Sequence, residues 1–195
     1  MSTREPRGPY SKGIAQRERI IDAALTAYAA SDSRGPALKA IAQTVGLSEK
    51  GLTHYFASRD DLLLAVLQER DRVDAVVFDE SDREWLAHTV EKVASRNLAS
   101  PGLVKLYLDL AVAASDPAHV AHEFFVDRYA QLTTLLSGLL VARGRAAEDA
   151  RWQAEALIAA ADGLQVQWLL NPRLDISSAA VNVARLIESG GSAHP

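Results

Sequence analysis

The chain has no cysteine among its 195 residues. Disulfide bonds, thiolate metal sites and cysteine nucleophiles are therefore excluded, and nothing in the composition points to secretion. The sequence also lacks an apolar run near the ~18 residues that a membrane-spanning helix requires. Residues 1–11 lack the apolar core of a signal peptide. We therefore expect a cytoplasmic protein with no membrane partner.

The common sequence signatures of catalysis are also missing. The chain contains no Gly-x-Ser-x-Gly elbow, no phosphate-binding glycine loop and no His-Glu-x-x-His pair. Side chains that could bind a metal lie on one predicted helix face, with His88 as a further candidate: His119, His122, Glu123 and Asp127. Because neither cysteines nor a second ligand pair accompany them, solvated side chains are the favoured interpretation. We expect no enzyme activity, no cofactor and no metal.

The net charge of -4 is distributed unevenly along the chain. Residues 1–60 carry nine Lys and Arg against six Asp and Glu, whereas the remaining 135 residues carry 12 against 19. Nucleic-acid binding depends on the local field rather than on the total charge. The N-terminal third is therefore the part of the chain suited to facing phosphates, although many soluble domains show uneven charge without binding DNA.

Apolar residues recur at helical spacing almost throughout, and no stretch alternates as a half-buried strand does. The pattern predicts an all-α fold of about nine helices. Helices are predicted over residues 12–30, 37–45, 49–56, 59 to beyond 73, 146–170 and 176–188. Three further helix starts are indicated by a capping residue followed by an acid or a proline, at Ser81, Ser100-Pro101 and Asp116-Pro117.

The most informative stretch is residues 37–56, with the sequence ALKAIAQTVGLSEKGLTHYF. It combines a short helix, a glycine turn and a second short helix at helix-turn-helix spacing. Ala42 is small where the two helices would cross, and Gly46 suits a turn that needs positive φ. Leu47 and Leu52 are apolar and would fix the second helix on the first. The angle between the two helices would then direct the second helix toward a DNA major groove, which is about 12 Å wide.

The exposed face of this second helix follows from its period. With Leu52 as the buried direction and ~100° per residue, Lys50 and His54 point most directly away from the core, with Gly51 and Thr53 beside them. Lys50 would pair with guanine, and Thr53 would contact a thymine methyl group or donate to an acceptor. The complete predicted DNA-binding set is Lys39, Ser48, Glu49, Lys50, Gly51, Thr53, His54, Tyr55 and Arg59. When residues 37–56 are considered alone, an ordinary helical hairpin inside an α-helical bundle remains the alternative interpretation.

A longer stretch, IAQTVGLSEKGLTHYFASRDDLLLAVL, resembles the signature of the TetR (tetracycline-repressor) family. The shared features are an Ile-Ala pair, a Gly-hydrophobic-Ser turn and a Tyr-Phe pair. They are followed by a small residue, a serine, a basic residue and an acidic residue, in that order, before a run of leucines. The resemblance covers about residues 12–70. It implies that Tyr55 and Arg59 contact phosphate and that the helix after Ser58 connects a DNA-binding part with a ligand-binding part.

The chain departs from the family pattern at three positions. Ala37 stands where the family usually has Thr or Ser, so a helix cap and a phosphate contact are missing. Gly51 replaces a frequent Thr, and Thr53 replaces the usual Tyr, which reduces the side chains available for reading bases. Operator affinity would then depend on Lys39, Lys50, Arg59 and the basic arm.

The resemblance implies four segments along the chain. They are a flexible basic arm over residues 1–11, a three-helix DNA-binding domain over 12–57, a larger helical ligand-binding and dimerisation domain over 58–190, and a flexible tail over 191–195. Residues 58–190 resemble the family more weakly, mainly through AEALIAAADGLQVQWLLNP.

The last two predicted helices carry wide apolar faces, and their alanines allow close helix approach. By resemblance they would pair with their symmetry mates as a four-helix bundle, giving a two-fold dimer; an intramolecular core is the alternative. The predicted interface residues are Leu157, Ile158, Ala161, Leu164, Trp168, Ala180, Val183 and Ile187. Aromatic residues predicted to line an effector pocket, each of which could equally be core, are Trp85, Tyr107, Phe124, Tyr129, Trp152 and Trp168.

These features predict a ligand-responsive DNA-binding regulator, acting as a repressor that a small molecule releases from a palindromic operator. Its expected partners are double-stranded DNA, an unidentified effector and a second copy of itself. The alternative is a helical small-molecule binding protein with a non-functional helix-turn-helix. Salt-dependent, specific DNA binding separates the two.

Overall fold

The computed structural model describes residues 9–74 and 85–190. All regular structure in these two ranges is helical, which confirms the predicted fold class. None of these helices is both long and apolar enough to cross a membrane. The nine helices of the described ranges are α1 (Pro9–Ala29), α2 (Leu38–Thr44), α3 (Glu49–Leu52), α4 (Arg59–Asp74), α5 (Trp85–Ala99), α6 (Pro101–Ala113), α7 (His122–Ala142), α8 (Ala147–Leu170) and α9 (Ile176–Glu188).

The predicted bounds of the C-terminal helices are confirmed to within one residue. Helix α8 ends at Leu170, and the Asp175 carboxylate caps α9 by accepting a hydrogen bond from the Ser178 N–H at 3.0 Å. Helix α1 begins three residues earlier than predicted, at Pro9. The predicted helix start at Ser81, the first eight residues of the basic arm and the tail over 191–195 lie outside the described residues.

The helix start predicted at Asp116-Pro117 is wrong. Residues 114–121 form turns, and α7 begins only at His122. The Asp116 carboxylate accepts a hydrogen bond from the Ala118 N–H at 2.9 Å, and the Asp116 carbonyl accepts one from His119 at 3.0 Å. The aspartate therefore closes a local turn instead of capping a helix, which is the usual competition between these two roles.

One hydrophobic core joins the N-terminal helices to the rest of the molecule. Ile20 of α1, Ile41 of α2 and Val66 of α4 are fully buried in it, and Phe125 of α7 is 4% exposed in the same cluster. A second core lies among α5, α7, α8 and α9, around Trp85. Because α6 and part of α7 belong to the first core, α1 and α4 pack directly against the C-terminal helices, and α1 in turn carries the helix-turn-helix through its contacts with α2.

Helix α6 is packed closely against the end of α1. A Cβ atom at Gly102 would lie 2.1 Å from the Ser31 Oγ and 2.5 Å from the Tyr28 carbonyl oxygen, so this contact requires glycine. Near the C-terminal end of α4, Arg70 donates a hydrogen bond to Asn97 Oδ1 of α5 at 2.7 Å. The C-terminal helices therefore hold both the end of α1 and the end of α4.

Candidate nucleic-acid interface

The turn between α2 and α3 is built on Gly46, whose φ is +72°. The Gly46 N–H donates to the Gln43 carbonyl at 3.1 Å, and the Leu47 N–H donates to the Ala42 carbonyl at 2.9 Å. Ala42 of α2 is fully buried at the position where α3 was predicted to cross it. Leu47 packs against the hydrophobic core to which Ala42 belongs. The positive φ expected of this glycine is confirmed, and it sets the direction in which α3 leaves α2.

Replacing Gly46 with alanine is expected to destabilise the fold by about 1–2 kcal/mol, because an L-residue is strained at positive φ. Nothing lies within 4 Å of the added Cβ, so the cost is one of backbone conformation alone. Gly13 of α1 is a matched control, since its Cβ would also meet no atom within 4 Å and its φ is not positive. Gly13→Ala should stabilise by about 0.5–1 kcal/mol. Urea unfolding of both variants measures the difference, and equal effects would contradict the assigned strain.

Helix α3 is short, and its start is capped as predicted. Ser48 Oγ accepts a hydrogen bond from the Gly51 N–H at 3.0 Å. Regular α-helix extends only to Leu52, not to Phe56 as predicted. The chain continues in a tighter turn in which the N–H groups of Thr53, His54 and Tyr55 donate to carbonyls three residues earlier, at 3.3, 3.4 and 2.9 Å. One helical turn is therefore followed by this tighter turn, and we call the two together, residues 49–56, the recognition segment.

The segment is fixed on the core by two side chains. Leu52 and Phe56 are each 5% exposed. The guanidinium of Arg17 lies 4.8 Å from the centre of the Phe56 ring, a cation–π distance. The sequence did not indicate this contact between Arg17 and Phe56, because no spacing rule connects α1 with residue 56.

The predicted DNA-binding side chains lie on the helix-turn-helix and at the start of α4. Two of them, Gly51 and Tyr55, are half-buried. The remaining predicted residues are exposed, and these are Lys39, Ser48, Glu49, Lys50, Thr53, His54 and Arg59. Lys50 and His54, the pair predicted to point most directly outward, are thus both open to solvent. Their contacts with bases stay a prediction.

Two hydroxyl groups in the segment have backbone partners that limit their chemistry. The Thr53 hydroxyl donates to the Lys50 carbonyl at 2.7 Å. Its proton is therefore used, while its methyl group and its oxygen lone pair remain available to DNA. Ser48 accepts the capping bond described above, so its own proton remains available as a donor.

Helix α4 begins beside the recognition segment and presents Arg59 at its first position. Ser58 Oγ accepts from the Asp61 N–H at 3.0 Å, which is the first bond of the predicted capping box, but the Asp61 carboxylate accepts from the Ser58 hydroxyl at 3.1 Å instead of from the Ser58 backbone N–H. Ala37 makes no side-chain cap at α2, as its departure from the family pattern implied. Lys39, Lys50 and Arg59 have neither an ion pair nor a hydrogen-bonded side-chain partner within the described ranges, so all three cations remain available to phosphate.

His119 links the turn before α7 to the start of α4. Its Nδ1 accepts from the Ala121 N–H at 3.2 Å, so Nε2 carries the proton and donates to Asp60 Oδ2 at 3.2 Å. His122 Nδ1 lies 2.8 Å from the Ala114 carbonyl. In the part of the chain that the structure describes, no three His, Asp or Glu residues form a metal-binding group. No pattern in the sequence indicated that His119 would be next to Asp60.

The predicted effector-binding aromatic residues are in four different places. Tyr107, Phe124 and Tyr129 gather around Phe125, whose ring centre is 5.3 Å from Tyr107, 5.2 Å from Phe124 and 6.3 Å from Tyr129. The three tryptophans are elsewhere. Trp85 is buried in the core of α5, α7, α8 and α9, Trp168 is buried beside α6, and Trp152 is 39% exposed and donates to Asp149.

The residues predicted for the dimer interface divide into two groups. Four of them are buried within the single chain, with exposed fractions of 7–8%: Leu157, Trp168, Ala180 and Ile187. The other four remain partly exposed, and these are Ile158, Ala161, Leu164 and Val183. Large apolar residues that the prediction did not include are more open, with Leu170 82% exposed, Leu186 69% and Val166 44%.

Comparisons with known proteins agree with this architecture. The family described as bacterial regulatory proteins, tetR family, matches residues 20–66, and the C-terminal family of BetI-type transcriptional repressors matches residues 82–190. No curated protein matches the sequence.

Three solved structures illustrate the fold. A transcriptional regulator from Rhodococcus sp. Rha1 superimposes with a TM-score of 0.70 at 21% identity, covering 92% of this chain and 99% of its own. A putative TetR-family transcriptional regulator from Mesorhizobium loti MAFF303099 gives 0.65 at 15% identity, covering 91% and 97%. The fatty acid degradation regulator FadR from Bacillus halodurans gives 0.61 at 20% identity, covering 98% and 100%.

Proposed function

The chain belongs to the TetR family of bacterial regulatory proteins, and we propose that it is a repressor that a small molecule releases from a palindromic operator. Its general function, ligand-responsive DNA binding in transcription regulation, follows from the family. A repressor that binds chromosomal DNA acts in the bacterial cytoplasm, which is the location we assign to it.

The observation that carries this proposal is the outward presentation of Lys50 and His54 on a segment whose other side is buried by Leu52. Both side chains are exposed, and Arg59 is exposed on the adjoining helix. Base edges are read by side chains that enter the groove, and flanking cations position the module on phosphates. One surface therefore presents side chains suited to both classes of contact.

We propose that the protein is a homodimer joined through α8 and α9. Exposed or partly exposed residues that are apolar or small follow one side of α8 and continue on α9, which is the composition expected of helices that pack against a second copy. The residues we assign to this surface are Ala159, Gly163, Val166 and Leu170 of α8 and Ala179, Val183 and Leu186 of α9. A two-fold dimer presents its two recognition segments to half-sites one helical turn apart, about 34 Å.

The proposed mechanism is a population shift transmitted by α4. The C-terminal end of α4 is held by Arg70, which bonds Asn97 of α5, and by Asp71, which pairs with Arg128 of α7. Its first turn carries Arg59. An effector that changes how α5 and α7 pack would tilt α4 and change the separation of the two recognition segments, so that operator affinity falls.

Selection of bound DNA from a random pool tests the proposal directly. We expect an enriched palindrome whose half-sites are about one helical turn apart. Failure to enrich any sequence at physiological ionic strength would favour the alternative, a small-molecule binding protein with a non-functional motif. A reporter behind the selected operator then tests the direction, and lower transcription in the absence of the protein would contradict repression.

A further inference from the structure

A hydrogen-bonded row of side chains crosses three helices of the C-terminal part. The Tyr107 hydroxyl of α6 donates to the Tyr129 hydroxyl of α7 at 3.0 Å, and Tyr129 donates to Asp162 Oδ2 of α8 at 2.6 Å. Burial, together with the hydrogen bond to Asp162, raises the pKa of Tyr129 well above its usual value. The phenol therefore stays protonated, and the row ends on the carboxylate as its acceptor.

Asp162 lacks a cationic partner among the residues that the structure describes, because no Lys, Arg or His nitrogen there lies within ion-pair distance of its carboxylate. The neighbouring cation, Arg128, is paired instead with Asp71 of α4 and lies over the Tyr107 ring at 5.3 Å. Burial is the largest influence on Asp162 and raises its pKa above the usual value, although the hydrogen bond from Tyr129 and the charge of Arg128 oppose this rise. Since buried charges are normally paired, this half-buried carboxylate is suited to receive a cation from outside the described chain.

The surroundings of Asp162 are aromatic. Phe125 is 4% exposed, and its ring lies near those of Tyr107 and Tyr129 at the distances given above. Tyr129 and Asp162 are themselves only half-buried, so part of each residue is open to solvent. Aromatic faces attract cations, and an unpaired carboxylate beside them adds a directional charge. An anion would be repelled by the carboxylate, and a neutral hydroxyl would gain only an ordinary hydrogen bond.

We propose that Asp162, Tyr107, Tyr129 and Phe125 form the polar end of the effector site and that this site takes an organic molecule carrying a protonated amine. The inference rests on the proposed function, because it specifies the chemistry of the effector. The site is also connected to α4: Arg128 directly precedes Tyr129 on α7 and holds Asp71. Movement of Tyr129 toward a bound ammonium group therefore moves the residue that anchors the end of α4.

Three probes with one ring and different charges test the proposal on the full chain without DNA: benzylamine, benzyl alcohol and benzoate. We expect benzylamine alone to raise the melting temperature. Asp162→Asn should weaken benzylamine binding at least tenfold by titration calorimetry, since the aromatic rings and the acceptor for Tyr129 remain while the charge is lost. Glu155→Gln is the matched control, because it removes an exposed carboxylate from the same helix and should leave binding unchanged.

Equal benzylamine affinity in Asp162→Asn and the unaltered protein would overturn the proposal. So would stabilisation by benzyl alcohol or benzoate equal to that by benzylamine, or no stabilisation by benzylamine. The comparison of the three probes on the unaltered protein does not require the variant to fold. Loss of DNA binding is measured separately by the selection experiment, so a failed operator search and a failed amine test are distinguishable.

Discussion

Replacing Lys50 with alanine is expected to weaken operator binding by about 1–3 kcal/mol per half-site, which the dimer experiences twice. The physical reason is that the ammonium group of Lys50 is exposed on the first turn of α3 and, in the proposed complex, would pair with a guanine edge. The loss should be largest for operators that keep the base pair that Lys50 reads. Fluorescence anisotropy with the selected operator and with single-base variants measures both the affinity and the change in specificity.

Arg59→Ala should behave differently, although it removes the same charge. Because Arg59 is at the first position of α4 and is expected to bind phosphate, its removal should weaken binding about equally for all sequences. The slope of log affinity against log salt should fall by about 1 for each phosphate that is no longer neutralised. Lys92→Ala, on the exposed side of α5, is the control and should change neither quantity.

The two variants could also give the opposite pattern. If Lys50→Ala reduced affinity uniformly and Arg59→Ala relaxed base preference, the assignment of base-reading and phosphate-binding roles would be wrong. If neither variant changed operator binding, the helix-turn-helix would not be the DNA-binding surface at all.

Replacing Leu186 with glutamate is expected to convert the dimer into a monomer. Leu186 is 69% exposed in the single chain, so the substitution should cost the folded monomer little. In the proposed dimer the same carboxylate would be buried without a partner, which typically costs about 3–5 kcal/mol. Light scattering should therefore show a mass near 21.1 kDa instead of twice that value.

Operator binding should be lost together with the dimer. A monomer presents one recognition segment, and it lacks the second half-site that fixes the affinity of a two-fold complex. We expect roughly a hundredfold weaker binding or more, with an unchanged circular dichroism spectrum. Val112→Glu, at a 74% exposed position of α6, is the control that should stay dimeric. A dimeric Leu186→Glu protein would contradict the assignment of the interface to α8 and α9.

Much of the fold and of the candidate interface could be predicted from local sequence signals. Ser48 and Ser58 mark helix starts by their own hydrogen bonds, and Gly46 marks a turn by its backbone freedom, so these features follow from short stretches of chain. The exposure of Lys50 and His54 also follows, because the helical period relates them to Leu52 over only a few residues. The error at Asp116 shows the limit, since one residue type serves both a helix cap and a local turn.

The interface between copies illustrates what periodicity leaves open. The predicted face contained Leu157 and Ala180, which are both buried inside the chain, whereas the highly exposed Leu170 and Leu186 were not included. An apolar stripe shows that a helix is covered, without showing whether its own chain or a second copy covers it. This distinction depends on how α5 and α7 pack against α8 and α9.

The sequence by itself determined the helical fold, the helix-turn-helix and the outward side chains, because each depends on residues within one or two turns of one another. Only the tertiary structure placed Asp162 against Tyr129, Arg128 against Asp71 and His119 against Asp60. The two residues of each pair are 33 or more positions apart, and no period in the sequence relates them. In the proposed mechanism the response to an effector would depend on such distant contacts, because helices that are remote in the chain would have to move together to tilt α4.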